Sequence, residues 1–482
     1  MIAVLAIVTY FVALLAIGWR AERGAERSAR GYYLAGGGLG SLALLFALFG
    51  TNCSPFVLMG IPGQGYHDGL GIFSLNAPII ALVVPLTMWL VGVPARAMAT
   101  RLDCVSPAEL YAKRLDSRAA GLVLVAAFAL FTLPYMVTGL QGCGIALAQQ
   151  FPEHMSRRFG AALALLVALC YTLLGGMRAT AWTNVAQGAL FLVVMVAAAC
   201  AVLGELGGPA LAFERLAAER ADLVVLDRAK PRFATEAFAS HSLAIALTVV
   251  CFPHMLARLM AAKGEATLRD SCRWYPLALA LLWTSAVLVG VFGALLAPGM
   301  VGRASDGIFP AMVARTFGAE WSVLGTLAVL AAAMSTLDAQ LLTLGSMASR
   351  DLAPGGGRQG RGLALERLIL AGVGVATLGL HELVERWQWS IFELAQFSFS
   401  GYVMLFPTIV LGLSWRRFTA TGAIASIVAG IGMLAACQAG LVPLHGWLPV
   451  APAFATAALA AVIGSLASRP TAPERLRQAF GA

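Results

Sequence analysis

Long apolar runs recur from one end of the chain to the other, separated by short stretches that concentrate arginine, glycine and proline. Each run is close to the twenty residues that a helix needs to cross a bilayer. The runs fall at 2–19, 39–61, 72–93, 120–148, 160–175, 182–203, 239–260, 276–298, 321–346, 364–381, 391–413, 419–440 and 449–467. They predict an all-α polytopic membrane protein of about thirteen spans, numbered below in chain order. The segments 204–238 and 299–320 are longer than a turn requires, and AFERLAAERADLVVL and FPAMVARTF within them each predict a short surface helix. DLAPGGGRQGRG at 351–362 reads as a flexible inside linker.

Two spans are interrupted. Span 2 reads LALLFALFG, then TNCSPF, then VLMGIPG, with Asn52, Ser54 and Pro55 near mid-membrane and Gly50 just before them. Proline removes a backbone donor and clashes with the preceding turn. The freed carbonyls either meet neighbouring helices or line a cavity. Span 7 reads LAIALTVVCFPHMLARL, with Phe252 and His254 flanking Pro253. His254 is either a structural hydrogen bonder or a proton carrier. The breaks lie five spans apart, and an odd offset inverts the second unit. Paired broken helices in an inverted five-plus-five core point to a transporter's binding site. The expected division is a single transporter domain over 1–482. Residues 1–38 form an extra first helix and inside loop, 39–203 the first repeat and 204–238 an outside loop. Residues 239–413 form the second repeat, and 414–482 two extra helices and a tail.

Composition sharpens this picture. Hydrophobic residues make up 60% of the chain and charged ones 12%, about half the usual charged share for a soluble domain. A soluble enzyme, a nucleic-acid binder and a secreted disulfide scaffold are poor fits. The eight cysteines are scattered through apolar runs without a CxxC pair, and read as small core residues. The net charge of +9 is mostly a topology signal. With the N-terminus outside, the inside segments collect Arg20, Arg23, Arg27 and Arg30, then Arg96, Arg101, Lys113, Arg114 and Arg118, and later Arg258, Lys263, Arg269 and Arg273. They also collect Arg350, Arg358, Arg361, Arg367, Arg416 and Arg417. The odd number of spans then places the C-terminal Arg469, Arg475 and Arg477 in the cytoplasm, as the positive-inside rule asks.

Span 9 carries a polar cluster in LAVLAAAMSTLDAQLLTLGS. Ser335 and Thr336 are adjacent hydroxyls, and Asp338 lies three residues beyond Ser335 on nearly the same face. Such hydroxyls can simply bond back to the i−4 carbonyl. An intramembrane acid, however, is costly and functional by default. Hydroxyl, carbonyl and carboxylate oxygens suit a hard cation such as sodium. Asn76, Asn184, Gln187, Gln340 and Gln396 are further polar residues inside spans. Tyr135 and Gln141 of span 4 are placed to face a solute.

These motifs together resemble the sodium:solute symporter family, which includes proline, pantothenate, monocarboxylate and sugar symporters. The marks are YYLAGGGLG, VLMGIPG, VSPAELYAKRLDS, YTLLGGMRATAWTNVAQ, FPHMLARLMAA and AAAMSTLDAQLL, spread over nearly the whole chain. The resemblance implies alternating access around a midplane site. It implies sodium held between the break of span 2 and span 9 by the carbonyls of Gly50, Cys53 and Ala332 and the hydroxyls of Ser335 and Thr336. Asn52 and Asn184 stand where members often carry aspartate, which makes a second sodium near span 6 less expected unless Asp338 compensates. Ile245 and Val249 stand where proline symporters use aromatic residues, which argues against proline. Ser54, Tyr135, Gln141, Val249 and Phe252 form the expected solute site. No arginine is expected mid-membrane to clamp a carboxylate, a role that a broken-helix N-terminus can take.

The reading is therefore sodium-coupled symport of a small organic solute, a monocarboxylate or similar acid, across the cell membrane. The alternatives are a proton-coupled or uncoupled carrier on the same fold, with Asp338 as proton carrier, or a solute sensor. A channel lacks a continuous polar stripe. For a membrane hydrolase, Ser335 with Asp338 and no nearby histidine is a poor dyad.

Overall fold

A computed structural model describes residues 1–23, 28–352, 363–387 and 389–481. Arg27, Arg358, Arg361 and all but the first two residues of the expected linker at 351–362 lie outside them. Among the described residues, nine helices are long and apolar enough to cross a membrane, or eleven when two bent pairs each count as one span. Both bent pairs are the interrupted spans. Span 2 is Ser41–Asn52 followed by Phe56–Asp68, bent by 57°, and span 7 is Thr235–Cys251 followed by Pro253–Met260, bent by 47°.

Expected spans 5 and 6 prove to be one helical element, Arg157–Glu205, of 49 residues. At about 1.5 Å per residue it is far longer than a bilayer is thick. It turns at Gly176 (φ 53, ψ −143), a backbone region that only glycine enters readily. The reversal there needs no loop. A Cβ on Gly176 would stand 2.4 Å from the Tyr32 carbonyl oxygen, so the glycine also lets the turn press against YYLAGGG. Span 3 also runs further than expected, over Gly71–Arg101, and accommodates Pro78, Pro85 and Pro94. The two surface helices appear as Pro209–Glu219 and Ile308–Phe317.

The helices sort by burial. The apolar window of span 9, Val323–Arg350, is entirely buried, whereas that of span 1, Ile2–Ala21, is 22% buried and faces lipid. Span 9 packs against Arg157–Glu205 and against span 4, Arg118–Gln150. Side-chain caps close the starts of several helices. Ser117 and Ser156 each accept a backbone N–H of the first turn, and Ser390 with Glu393 forms a reciprocal capping box.

The two broken spans are tied where the inverted arrangement brings their ends together. The start of span 2 pairs with the end of span 7 through an isolated parallel bridge, Leu39 to Ala262. Arg96 of span 3 caps the same corner, donating from Nε to the Ala262 carbonyl at 2.8 Å. At the opposite end Asp68, closing span 2, pairs with Arg232 just before span 7 at 3.3 Å. Each break is thus suspended between anchored ends.

Gly176→Ala is expected to lower thermal stability in detergent by about 2–3 kcal/mol, from strained backbone plus the Tyr32 clash. Gly372→Ala is the control, because its Cβ meets nothing within 4 Å, and it should be neutral. Equal melting temperatures for the two variants would refute the role given to Gly176.

Candidate ion and solute site

Span 2 loses its helical ladder at Cys53 (φ −92, ψ 88). The carbonyls just before the break then point at span 9. Ser335 Oγ donates to the Gly50 carbonyl at 2.8 Å and lies 3.0 Å from the Ala332 carbonyl. Thr336 Oγ1 lies 3.2 Å from the Thr51 carbonyl and 3.1 Å from that of Ala332. Four of the five residues expected around sodium are therefore gathered in one knot. The fifth, Cys53, is fully buried beside them at the break. The Thr51 carbonyl is a further oxygen that sequence reading missed. The two hydroxyls bond back within span 9 and also forward to span 2.

Asn184 of span 6 fastens this knot. Its Nδ2 donates to Thr51 Oγ1 at 3.0 Å and to the Ser335 carbonyl at 3.3 Å. A neutral amide supplies N–H donors that a carboxylate cannot, so Asn184 braces the site without adding a charge. Asn52 is also buried, 8% exposed.

Asp338 corrects two expectations. Its Oδ1 lies 3.5 Å from Nη2 of Arg258, and both side chains are completely buried. Its Oδ2 accepts from Tyr171 Oη at 3.1 Å and from Thr183 Oγ1 at 3.4 Å. Arg258, although inside the expected span 239–260, was counted with the inside basic residues, and no arginine was expected mid-membrane. It sits fully buried in the last turn of Pro253–Met260, the second half of span 7. Asp338 therefore already has a resident cation. Sequence held one clue: Arg258 is the only charged residue in FPHMLARLMAA, and a charge in such a run asks for a partner.

The expected solute residues divide. Ser54 Oγ and Tyr135 Oη are 3.0 Å apart, and Tyr135 stacks on Phe252 with ring centres 5.3 Å apart. Val249 is buried in the 3₁₀ turn just before the second break. Gln141 stands apart from these. Its amide nitrogen reaches the Trp389 carbonyl at 3.2 Å and Glu385 at 3.4 Å. Gly142 beside it has a different use: a Cβ there would stand 2.6 Å from Pro55, so its absence lets span 4 press against the first break.

A column of rings runs through the centre. His241 stacks on Phe392 (6.0 Å), Phe392 on Phe56 (5.4 Å), and Phe56 meets Phe399 edge-on (5.1 Å). Phe399 then meets Tyr135 (5.4 Å), Tyr135 stacks on Phe252, and Phe252 on His254 (5.0 Å). Phe56 opens the second half of span 2 and Phe252 closes the first half of span 7, so both breaks place a ring in the column. His254 has neither ring nitrogen hydrogen-bonded.

Comparison with known proteins places this geometry. The model of the Sodium:solute symporter family matches residues 32–430. The chain belongs to the sodium:solute symporter family. Curated relatives include the osmoregulated proline transporter OpuE of Bacillus subtilis, 25% identical over 479 residues, 97% of this chain and 95% of the relative. The sodium/proline symporter of Haemophilus influenzae is 27% identical over 470 residues, covering 91% and 89%. The sodium/pantothenate symporter of Escherichia coli is 26% identical over 485 residues, covering 96% of each chain. A Na+-coupled sialic acid symporter, solved substrate-bound and outward-open, superposes with a TM-score of 0.81 at 18% identity over 98% of this chain and 99% of that one. MHP1, a nucleobase-cation-symport-1 family transporter, gives 0.58 at 12% identity over 95% and 98%. The symporter fold, with its inverted repeats and two broken helices, is thereby shown. As a family member the chain is an integral, multi-pass membrane transporter and not an enzyme.

Asp338→Asn is expected to cost about 3–5 kcal/mol of stability, because Arg258 then stays buried without a counter-charge. Combining Asp338→Asn with Arg258→Gln should restore most of the loss. Thermal unfolding of the three variants in detergent checks this, and a double variant no more stable than the single would sink it.

Proposed function

We propose that this family member is a sodium-coupled symporter of a small organic acid, favouring a monocarboxylate, and that it works by alternating access. The observation that carries the reading is the convergence of the Ser335 and Thr336 hydroxyls on the Gly50 and Thr51 carbonyls at the break of span 2. Hydroxyl protons fill that knot. When sodium enters, the protons turn away and the Gly50, Cys53 and Ala332 carbonyls with both hydroxyls present lone pairs to the ion. All are hard oxygen donors. Sodium then links a broken span to the fully buried span 9. That link fixes the break beside Ser54, Tyr135 and Phe252, where the solute docks. Binding energy of the ion is in this way converted into order of the solute site.

The relatives named for proline and pantothenate both carry a carboxylate-bearing solute, which supports an acid as cargo. Ile245 and Val249, aliphatic and buried, support an acid other than proline. Pairing of Asp338 with Arg258 supports sodium rather than a proton carried on Asp338, since the guanidinium already holds the carboxylate's charge. The proposed orientation sets the N-terminus outside and the C-terminus in the cytoplasm. The expected domain division follows the two tied breaks.

In proteoliposomes a sodium gradient should drive accumulation of a carboxylate solute. Thr336→Ala removes one ligand and should raise the sodium concentration for half-maximal uptake about tenfold, equivalent to about 1.4 kcal/mol. Uptake that is indifferent to sodium in both proteins would overturn the proposal.

A further inference from the structure

The outer end of the ring column opens into a cavity of about 520 Å³ that none of the ion-site residues line. Its wall is mainly apolar and aromatic, including Trp389, Phe392 and Phe397, and it also holds Arg232, His241 and Gln396. Phe392 forms the floor, with Phe56 stacked beneath it.

Two buried polar atoms on this wall lack partners, and both are donors. His241 is 4% exposed. Gln396 donates its amide N–H to His241 Nδ1 at 3.0 Å. With Nδ1 accepting, the ring proton belongs on Nε2, and Nε2 is buried without a partner. Arg232 holds its guanidinium 4.6 Å above the Phe392 ring and turns Nε to Asp68. Its Nη1 is likewise buried and unpartnered. A buried donor left unmet is costly, so the pair calls for an acceptor. Neighbouring acids do not supply it. Asp68 is shared between Arg232 and Lys230. Glu393, which also lines the cavity, turns Oε2 to the N–H and hydroxyl of Ser390.

We propose that this cavity is an outer capture site for the carboxylate of an organic acid, with the head group on His241 Nε2 and Arg232 Nη1 and the apolar body against Trp389 and Phe397. The proposal rests on the symport reading for its biological use: the acid waits on Phe392 until the ring column parts. The capture chemistry itself needs no sodium, because no residue of the sodium knot lines the cavity.

The test uses the purified chain in lipid nanodiscs, titrated calorimetrically in sodium-free buffer. The probes are butyrate and phenylacetate, each beside its neutral amide. Both acids should bind, and each amide should bind at least tenfold more weakly. His241→Phe keeps the stack on Phe392 while removing the donor, and Arg232→Gln removes the charge. Each should weaken acid binding about tenfold and bring acid and amide closer together. Sodium-dependent thermal stabilisation, which reports the distant knot, should stay at the wild-type level and show that both variants are folded. Acid and amide binding alike, neither acid binding, or acid affinity unmoved by both substitutions would each overturn the capture site. The symport reading stands or falls separately, on whether a sodium gradient drives accumulation.

Discussion

A broken helix inside a membrane cannot be left alone. Where span 2 stops its ladder at Cys53, carbonyls that would elsewhere face water face hydrocarbon instead, and each unmet group costs several kcal/mol. The rest of the molecule answers that constraint. The apolar window of span 9 is wholly buried, and from it Ser335 and Thr336 reach the freed carbonyls. Span 6 brings Asn184 to brace the same place. Gly142 lets span 4 close over Pro55. The chemistry that keeps the break tolerable without an ion is also the chemistry that would welcome one. A set of hydroxyls bonded to carbonyls is only a proton's rotation away from a cage of lone pairs.

The charged pair beneath the knot serves a different end. Arg258 belongs to a half-helix set at an angle, Asp338 to a helix buried over its whole apolar length. Tyr171 and Thr183 hold the second carboxylate oxygen. Any motion of the second half of span 7 away from span 9 must separate opposite charges in a medium of low dielectric. Buried pairs of this kind add little net stability but penalise wrong arrangements heavily.

Much of this was legible in sequence, and the reasons differ by level. Apolar runs of bilayer length gave the spans directly, and prolines flanked by polar residues marked both breaks. Ser335, Thr336 and Asp338 stood out because polar groups are scarce in those runs. The turn at Gly176 was not legible as a continuous element, since the glycine pair within LLGGMRAT reads equally as a loop. Arg258 fell within the expected span 239–260 but was counted with the inside basic residues, because a lone arginine near a span end reads as a flank until its partner Asp338 on another helix is seen. Gln141 was grouped with Tyr135 by proximity along one helix, yet its amide turns to Trp389 and Glu385. The partners of a buried charge lie on other helices, and only tertiary structure names them.

The ring column has an electrical meaning. Seven stacked or edge-on rings offer no continuous chain of polar atoms between the outer cavity and the knot at Gly50. Any part of a membrane voltage that falls across this stretch acts on whatever charge crosses it. A monovalent cation that crosses the full membrane potential gains about 2.3 kcal/mol per 100 mV. A carboxylate crossing with it cancels that gain. Cargo charge thus decides whether one cycle is driven by voltage or by concentration alone.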